Sequence, residues 1–215
     1  CLVGSEMCIR DRYHNRRDLL GFPEFEIDGL FNVPSEPVAV KSLKKKRSGM
    51  FAAIRKRDIM LHVPYQPFRH LITLLQEASI DPLVQRISVT QYRLASKSCI
   101  AGALQSAARN GKEVYVIVEP QARFDEEANI KWAGQYRDAG VNVQLGVQGL
   151  KVHSKLVHIT RREHGRDRYY SVLGTGNFNE DTATIFADHL LMTYNQEMGE
   201  DCLLYTSPSP RDKSS

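Results

Sequence analysis

Between residues 58 and 147, short apolar strand patterns alternate with longer amphipathic helix patterns, and this alternation constrains the fold more than any other feature. The sequence predicts strands over residues 59–63, 84–92, 113–119 and 141–147. It predicts helices over residues 48–57, 67–78, 98–110 and 125–139. Strands that alternate with helices of this length are typical of an α/β layer, so we predict a largely parallel sheet flanked by helices.

A hairpin is predicted to follow this layer. Its strands cover residues 156–160 and 168–173, a turn-rich stretch at 163–167 joins them, and a last strand covers residues 188–194. The hairpin would bring two motifs to one end of the sheet. These motifs are Gly149-Leu150-Lys151-Val152-His153-Ser154-Lys155 and Gly174-Thr175-Gly176-Asn177-Phe178-Asn179.

The chemistry of the two motifs indicates a phosphate-like substrate. His153 and Lys155 are two residues apart on an extended segment, so their side chains are predicted to point to the same face. Histidine can accept and release a covalent group near neutral pH, and lysine supplies positive charge to phosphoryl oxygens. The glycines let backbone amides approach an anion, and Asn177 and Asn179 add neutral donors. A His-x-Lys pair alone is a weak signal, because a histidine on a strand usually has a structural role.

Two arginines strengthen the prediction of an anion site. Arg93 directly follows the predicted strand 84–92, and Arg123 lies in the loop after strand 113–119. His153 follows the strand predicted at 141–147. Ligands of open α/β sheets bind beyond the carboxyl ends of the strands, so all three side chains are expected on one rim. The rim would be an anion site with His153 as its candidate nucleophile.

The charge of the chain is unevenly distributed. The formal net charge is only +4, yet eight Lys or Arg residues and no acid lie between Lys41 and Arg57. Such a run is either a solvated linker or a patch that attracts a polyanion. No apolar run approaches the roughly eighteen residues that a transmembrane helix needs. We therefore predict no transmembrane segment, and we predict no nucleic-acid partner.

Both ends of the sequence resemble translated sequencing-adaptor DNA. Residues 202–215 read as one frame of a transposon-type sequencing adaptor, and residues 1–12 read as a frame of its reverse complement. We therefore expect these ends to be translated adaptor and the rest to be an internal fragment. Three of the four cysteines then fall in adaptor sequence, and Cys99 is left as a lone reduced thiol, which favours a cytoplasmic protein. Residues 13–57 are predicted to be the remnant of a preceding domain with a linker, and residues 58–201 the main domain.

Five motifs in order resemble the polyphosphate kinase family, which makes polyphosphate from ATP. Besides the two motifs above they are residues 57–65, residues 91–93 and residues 121–130, and the resemblance covers residues 18–201. It implies an α/β, phospholipase D-like mixed sheet flanked by helices, preceded by the remnant of a helical domain. The main domain would be the first of two related carboxyl-terminal catalytic domains.

The resemblance also implies roles for individual residues. His153 would be the phosphorylated histidine, and Arg93 and Arg123 fall at the family's magnesium-site arginines. A guanidinium group has no lone pair for a cation, so these arginines are expected to bind the phosphates that Mg²⁺ bridges. Asp125, with Glu126 and Glu127 beside it, is the better candidate for holding the metal.

Two departures from the family pattern concern the nucleotide site. Phe186 stands where the family usually has a tyrosine, so stacking on the base would survive but the hydroxyl would be lost. Val172 stands where a second histidine is common. With Asn177 and Asn179, Phe186 is the predicted ATP-binding set.

The resemblance implies ATP or ADP and inorganic polyphosphate as substrates, Mg²⁺ as cofactor, and self-association of the full-length protein. Peripheral association with a membrane is left open. The fragment by itself is expected to be inactive, because the domains that complete the ATP pocket are missing.

Two other functions stay open from the residues alone. A phospholipase D-like phosphodiesterase would use the same His-x-Lys pair, although Thr160 stands where that superfamily often has an aspartate. A non-catalytic module could bind polyanions through the basic run and the rim arginines.

Overall fold

The computed structural model describes residues 29, 36–43, 49–92, 94–95, 97–119, 126–146 and 151–206. The chain divides into two compact units, Cys1–Ser35 and Glu36–Ser215. Of the first unit only Gly29 is described, so the account below concerns the second unit.

The described part of the second unit alternates helices and strands, as the sequence predicts. The helices are α1 (Met50–Lys56), α2 (Arg69–Ile80), α3 (Cys99–Arg109), α4 (Glu126–Asp138) and α5 (Gln196–Thr206). The strands are β1 (Ile59–Val63), β2 (Val84–Gln91), β3 (Glu113–Val118), β4 (Asn142–Leu145), β5 (Leu156–Glu163), β6 (Arg166–Gly174) and β7 (Asp188–Thr193). Short 3₁₀ helices cover Lys41–Leu43 and Thr182–Thr184.

The seven strands form one mixed sheet in the order β1-β7-β6-β5-β2-β3-β4. Strands β2, β3 and β4 are parallel, whereas β1–β7, β7–β6, β6–β5 and β5–β2 are antiparallel. The mixed sheet that the family resemblance implies is confirmed. The largely parallel sheet predicted from the alternation is wrong, because the strand–helix–strand repeat stops at β4 and the following strands enter through a hairpin and its neighbours.

The hairpin is longer than predicted. Strand β5 continues to Glu163 and β6 already begins at Arg166, so the turn is only His164-Gly165. Both turn residues have positive φ, 48° and 78°, which is the backbone form that tight two-residue hairpin turns require. The turn-rich composition therefore located the turn but overestimated its length.

The core lies between the sheet and the helices packed on it. The predicted apolar face of α2 is confirmed, since Leu71, Leu74, Leu75 and Ala78 are all fully buried. Helix α1, which the sequence analysis assigned to the preceding remnant, contributes Met50, Phe51 and Ile54 to the same core.

The strand register gathers several chain segments at one edge of the sheet. Val157 of β5 pairs with Val89 near the carboxyl end of β2, and Leu156 pairs with Leu173 near the end of β6. Gly174 then pairs with Leu190 near the start of β7. The His-x-Lys segment just before β5 and the Gly-Thr-Gly-Asn segment at the end of β6 therefore meet at this edge, as the predicted hairpin required.

The carboxyl-terminal helix α5 packs on the hairpin. It runs from Gln196 to Thr206, and Cys202 within it is buried. The predicted adaptor boundary at residue 202 falls inside this helix, and the adaptor origin of the two ends stays a prediction.

His158 is a fully buried histidine in the middle of β5, and it makes the stability of the fold depend on pH. Its Nδ1 lies 3.2 Å from the Ser171 hydroxyl and its Nε2 lies 3.5 Å from the Thr160 hydroxyl. Burial, with a smaller contribution from the positive charge of Arg86, lowers the pKa of His158 from 6.5 to about 4.

We predict that the buried His158 lowers the free energy of unfolding at acidic pH. The unfolded chain binds a proton at this position below pH 6.5 while the folded chain does not until about pH 4, so stability is lost as the pH falls through that interval. The loss is on the order of 3 kcal/mol at the lower end. The free energy of unfolding can be measured by urea denaturation at several pH values between 7 and 4. Its slope against pH should be smaller for His158→Gln than for the parent chain. Equal slopes for the two proteins would contradict the prediction.

Candidate active site

A cavity of about 530 Å³ opens at the edge of the sheet where these segments meet. The end of β2, the segment before β5, the loop after β6 and the start of β7 all contribute to its walls. Its lining includes Tyr92, His153, Lys155, Asn177, Phe186 and Asp188. The two motifs found in the sequence therefore line one cavity.

His153 and Lys155 both line this cavity, as their spacing predicted, but they lie at different depths. The imidazole of His153 is exposed, whereas Lys155 is 8% exposed. The Lys155 ammonium donates a hydrogen bond to the His153 carbonyl oxygen. Burial lowers the pKa of Lys155, and the negative charge of Asp188 opposes that shift. The cavity thus pairs an accessible imidazole with a partly desolvated cation.

Tyr92 contacts both of these side chains. Its ring meets the His153 ring edge-on with centroids 5.8 Å apart, and the Lys155 ammonium lies 5.7 Å from the centre of the Tyr92 ring. These distances fit an edge-to-face aromatic pair and a cation–π contact. Tyr92 therefore restricts the orientation of His153 while leaving the imidazole exposed.

Asp188 brings a carboxylate to a cavity that otherwise favours anions. Its Oδ1 accepts a hydrogen bond of 2.7 Å from the Thr175 hydroxyl. A side chain at Gly176 would overlap the Asp188 carboxylate and displace it from this position. The second glycine of the Gly-Thr-Gly-Asn motif is thus needed for the approach of Asp188, a reason that the sequence alone does not provide.

The predicted ATP-binding residues occupy three different environments. Phe186 is 58% exposed and lines the cavity. Asn177 also lines it, and its buried Oδ1 has no hydrogen-bond partner among the described residues. Asn179 is buried instead, and its Oδ1 accepts 2.9 Å bonds from the backbone amides of Asp181 and Thr182. Asn179 therefore shapes the loop, and its contact with ATP stays a prediction.

Two buried polar side chains hold the backbone on either side of His153. The Thr90 hydroxyl donates to the Ser154 carbonyl oxygen at 2.7 Å and accepts from the Leu156 amide at 2.9 Å. Glu119 accepts from the Val152 amide at 2.8 Å. Neither residue was predicted from the sequence. The only available signal was a polar side chain near the carboxyl end of an apolar strand.

Glu180 anchors the loop after β6 to helix α3. Its carboxylate accepts hydrogen bonds from the Ser98 hydroxyl at 3.1 Å and from the Ile100 amide at 3.0 Å, at the amino terminus of the helix. A negative charge is favourable at this end of a helix. The loop that carries Asn177 and Phe186 is therefore tied to an element 80 residues earlier in the chain.

Three predicted site residues, Arg93, Arg123 and Asp125, lie outside the described residues, as do the side chains of Glu126 and Glu127. Their roles stay predictions. Tyr92, the residue before Arg93, does line the cavity.

Within the described ranges, no group of three or more His, Cys, Asp or Glu residues could hold a metal ion. Mg²⁺ is commonly held by one or two carboxylates together with substrate phosphates and water, so Asp188, the carboxylate among the described lining residues, fits this cation. In the same described part of the chain, no helix is long and apolar enough to cross a membrane.

The architecture is a phospholipase D-like α/β fold. Nuc of Salmonella typhimurium, a phospholipase D family member, superposes with a TM-score of 0.54 over 69% of this chain and 90% of that one. At 17% identity, this likeness concerns the fold alone.

Sequence comparison then gives the family. The profile of the polyphosphate kinase C-terminal domain 1 matches residues 49–205. The polyphosphate kinase of Vibrio vulnificus is 46% identical over 190 residues, which is 88% of this chain, and that of Escherichia coli is 46% identical over 184 residues, or 85%. The crystal structure of polyphosphate kinase from Porphyromonas gingivalis has a TM-score of 0.75 over 92% of this chain at 38% identity. The chain belongs to the polyphosphate kinase family.

The chain covers only part of these relatives. It spans 27% of the Vibrio vulnificus and Escherichia coli proteins and 34% of the Porphyromonas gingivalis chain. The profile that matches residues 49–205 describes one domain of the polyphosphate kinases.

We predict that Thr90 is required for the local stability of the His-x-Lys segment. Thr90→Val preserves the shape of the side chain but leaves the Ser154 carbonyl and the Leu156 amide without their partner, which should cost roughly 1–3 kcal/mol. Thr90→Ser keeps the hydroxyl and is the matched control. The free energy of unfolding of both variants can be measured by urea denaturation. A Val variant as stable as the Ser variant would show that the two hydrogen bonds contribute nothing.

Proposed function

We propose that the full-length protein transfers the γ-phosphoryl group of ATP reversibly to inorganic polyphosphate through a phosphohistidine at His153. One observation carries the proposal. An exposed imidazole lies in a cavity that also contains a partly desolvated lysine and one carboxylate. Membership in the polyphosphate kinase family supports this reaction in preference to others that use the same residue types.

The first half-reaction forms the phosphohistidine. A ring nitrogen of His153 bonds to the γ-phosphorus while the bond from that phosphorus to the β–γ bridging oxygen breaks, and ADP leaves with the electron pair. In the second half-reaction, a terminal oxygen of polyphosphate bonds to the same phosphorus and the phosphorus–nitrogen bond breaks. The imidazole is regenerated and the polyphosphate chain is one phosphate longer.

Charge stabilisation is the main task of the surrounding residues, because the transferred group carries negative charge on its equatorial oxygens. One N–H of Lys155 is used by the His153 carbonyl, so the other two are available to phosphoryl oxygens. We propose that Arg93 and Arg123 bind further phosphate oxygens. Tyr92 orients His153 through its edge contact.

Asp188 is the described residue that would hold Mg²⁺, with Asp125 as the further predicted ligand. The bound cation would neutralise charge on the ATP phosphates. The Thr175 hydroxyl donates to Asp188 Oδ1 and so fixes the carboxylate whether or not a cation is bound.

Phe186 and Asn177 are proposed to bind the nucleoside part of ATP. The exposed ring of Phe186 offers a face for stacking, and Asn177 has an acceptor without a partner among the described residues. Asn179 keeps its predicted place in the ATP-binding set through its side-chain amide nitrogen, because its side-chain oxygen already accepts two backbone hydrogen bonds.

A phospholipase D-like phosphodiesterase is the second candidate, favoured by the fold and the His-x-Lys pair. The aspartate that this superfamily often carries after the lysine is replaced by Thr160, which is 8% exposed and lies 3.5 Å from His158 Nε2. This position therefore offers no carboxylate. A non-catalytic polyanion-binding module is the third candidate and would not need His153 as a nucleophile.

The activity and self-association of the whole protein are proposals from the family resemblance, and its cytoplasmic location is a proposal from the lone Cys99 thiol. Because this chain spans 27% of its Vibrio vulnificus and Escherichia coli relatives, we expect the isolated chain to have little or no kinase activity.

The phosphohistidine is predicted to form only when His153 is present. We would incubate the full-length protein with γ-labelled ATP and Mg²⁺ and map the acid-labile, alkali-stable label to a peptide. We expect the label on the peptide that contains His153, and we expect His153→Ala to lose both label and turnover.

The matched control is His164→Ala, because His164 is an exposed histidine in the hairpin turn. It should keep the label. Hydrolysis of a phosphodiester by an unlabelled protein would favour the second candidate. Polyphosphate binding that survives His153→Ala without any turnover in the parent protein would favour the third.

The contact of Phe186 with the base gives a separate prediction. Base–aromatic stacking contributes roughly 1–3 kcal/mol, so Phe186→Ala should raise the KM for ATP by about tenfold or more. Phe186→Tyr keeps the ring and should leave the KM within about twofold of the parent value. Steady-state kinetics of the full-length variants test this, and an unchanged KM in the Ala variant would remove Phe186 from the nucleotide site.

A further inference from the structure

Two histidines face each other on the side of strands β1 and β7 that is not packed into the core. His62 of β1 and His189 of β7 are direct partners in the antiparallel register. Their rings are stacked, with centroids 4.4 Å apart and planes 7° from parallel. Their neighbours Leu61 and Leu190 are buried on the opposite face, so the histidine pair lies on the more open side of both strands.

The ring nitrogens of this pair are not occupied within the described part of the chain. No described side chain or backbone group is hydrogen-bonded to either imidazole, and neither histidine forms an ion pair there. The ring of Tyr65 contacts His62 edge-on at 4.9 Å, which packs the ring without using a nitrogen. His189 is exposed and His62 is partly exposed, so a solute can reach both rings.

We propose that His62 and His189 form a binding site for a divalent transition-metal ion such as Zn²⁺ or Ni²⁺. Imidazole nitrogen is a preferred ligand of these ions, and two side chains from adjacent strands can bind one ion together. Water completes the coordination, because the described residues supply two ligands. The proposal does not depend on the kinase reaction.

The strand pairing allows such a site once the two rings rotate. A metal–nitrogen bond of about 2.0–2.1 Å in tetrahedral geometry separates two ligand nitrogens by about 3.4 Å. Imidazole binds a metal through a lone pair in its ring plane, so the two stacked rings, whose planes are 7° from parallel, must rotate out of the stack until one nitrogen of each points at the ion. The β1–β7 pairing holds the two backbones at a fixed spacing, so only the side chains need to move.

This site is chemically distinct from the magnesium site proposed in the cavity. Mg²⁺ prefers oxygen ligands and has little affinity for imidazole. A transition-metal ion bound here would tie β1, an end strand of the sheet, to β7. The first residue of β7, Asp188, lines the active-site cavity, so the ion would brace one wall of that cavity.

The test is calorimetric titration of the full-length protein with NiCl₂ and, separately, ZnCl₂, at a pH of about 8, at which free imidazole is unprotonated. We expect one binding site that is lost, or weakened by about tenfold or more, in both His62→Phe and His189→Phe. Phenylalanine preserves the ring stack but has no nitrogen, so the strand pairing is kept while the ligand is removed.

The control variant is His164→Phe, which removes an exposed histidine in the hairpin turn and should leave this site unchanged. Thermal unfolding without metal checks that the two test variants are folded. In the parent protein, Ni²⁺ should raise the Tm, and the two test variants should lose that increase. The same number of sites and the same affinities in the parent and both test variants would overturn the proposal.

Discussion

The antiparallel pairing of β2 with β5 is the constraint on which the candidate site depends. Strand β5 begins beside the carboxyl end of β2, and the Thr90 hydroxyl bonds both to the Ser154 carbonyl and to the Leu156 amide. Glu119, just beyond β3, accepts from the Val152 amide. The backbone around His153 is therefore held by the two central parallel strands. A nucleophile supported in this way keeps its position while its side chain stays accessible, which is the preorganisation that electrostatic catalysis needs.

The cavity combines opposite charges at different depths. The Lys155 ammonium is largely buried, contacts the Tyr92 ring and is stabilised as a cation by Asp188. Burial of an unpaired ammonium would be costly, so the carboxylate is part of what keeps Lys155 charged. Gly176 allows that carboxylate to approach, and Glu180 ties the same loop to the amino terminus of α3. The Gly-Thr-Gly-Asn motif thus has a packing role in addition to any contact with substrate.

Local patterns in the sequence predicted most elements of the fold. The apolar face of α2 and the short strand β1 follow from hydrophobic spacing, because burial selects one face of a helix or strand. Strand pairing was predicted less well, since the direction in which β5 enters the sheet depends on contacts with β2, about 70 residues earlier, and not on its own pattern. The support by Thr90 and Glu119 was missed for the same reason: an isolated polar residue in a strand does not indicate its partner.

The sequence by itself determined the alternating elements, the two motifs and the meeting of His153 with Lys155, because these follow from spacing along the chain. It also contained the resemblance to polyphosphate kinases that the family match confirms. Only the tertiary structure decided that Asp188 and Tyr92 join the same cavity, that Asn179 is used to shape its loop, and that His62 stacks on His189. Each of these depends on strand register, and register is set by the packing of the whole sheet.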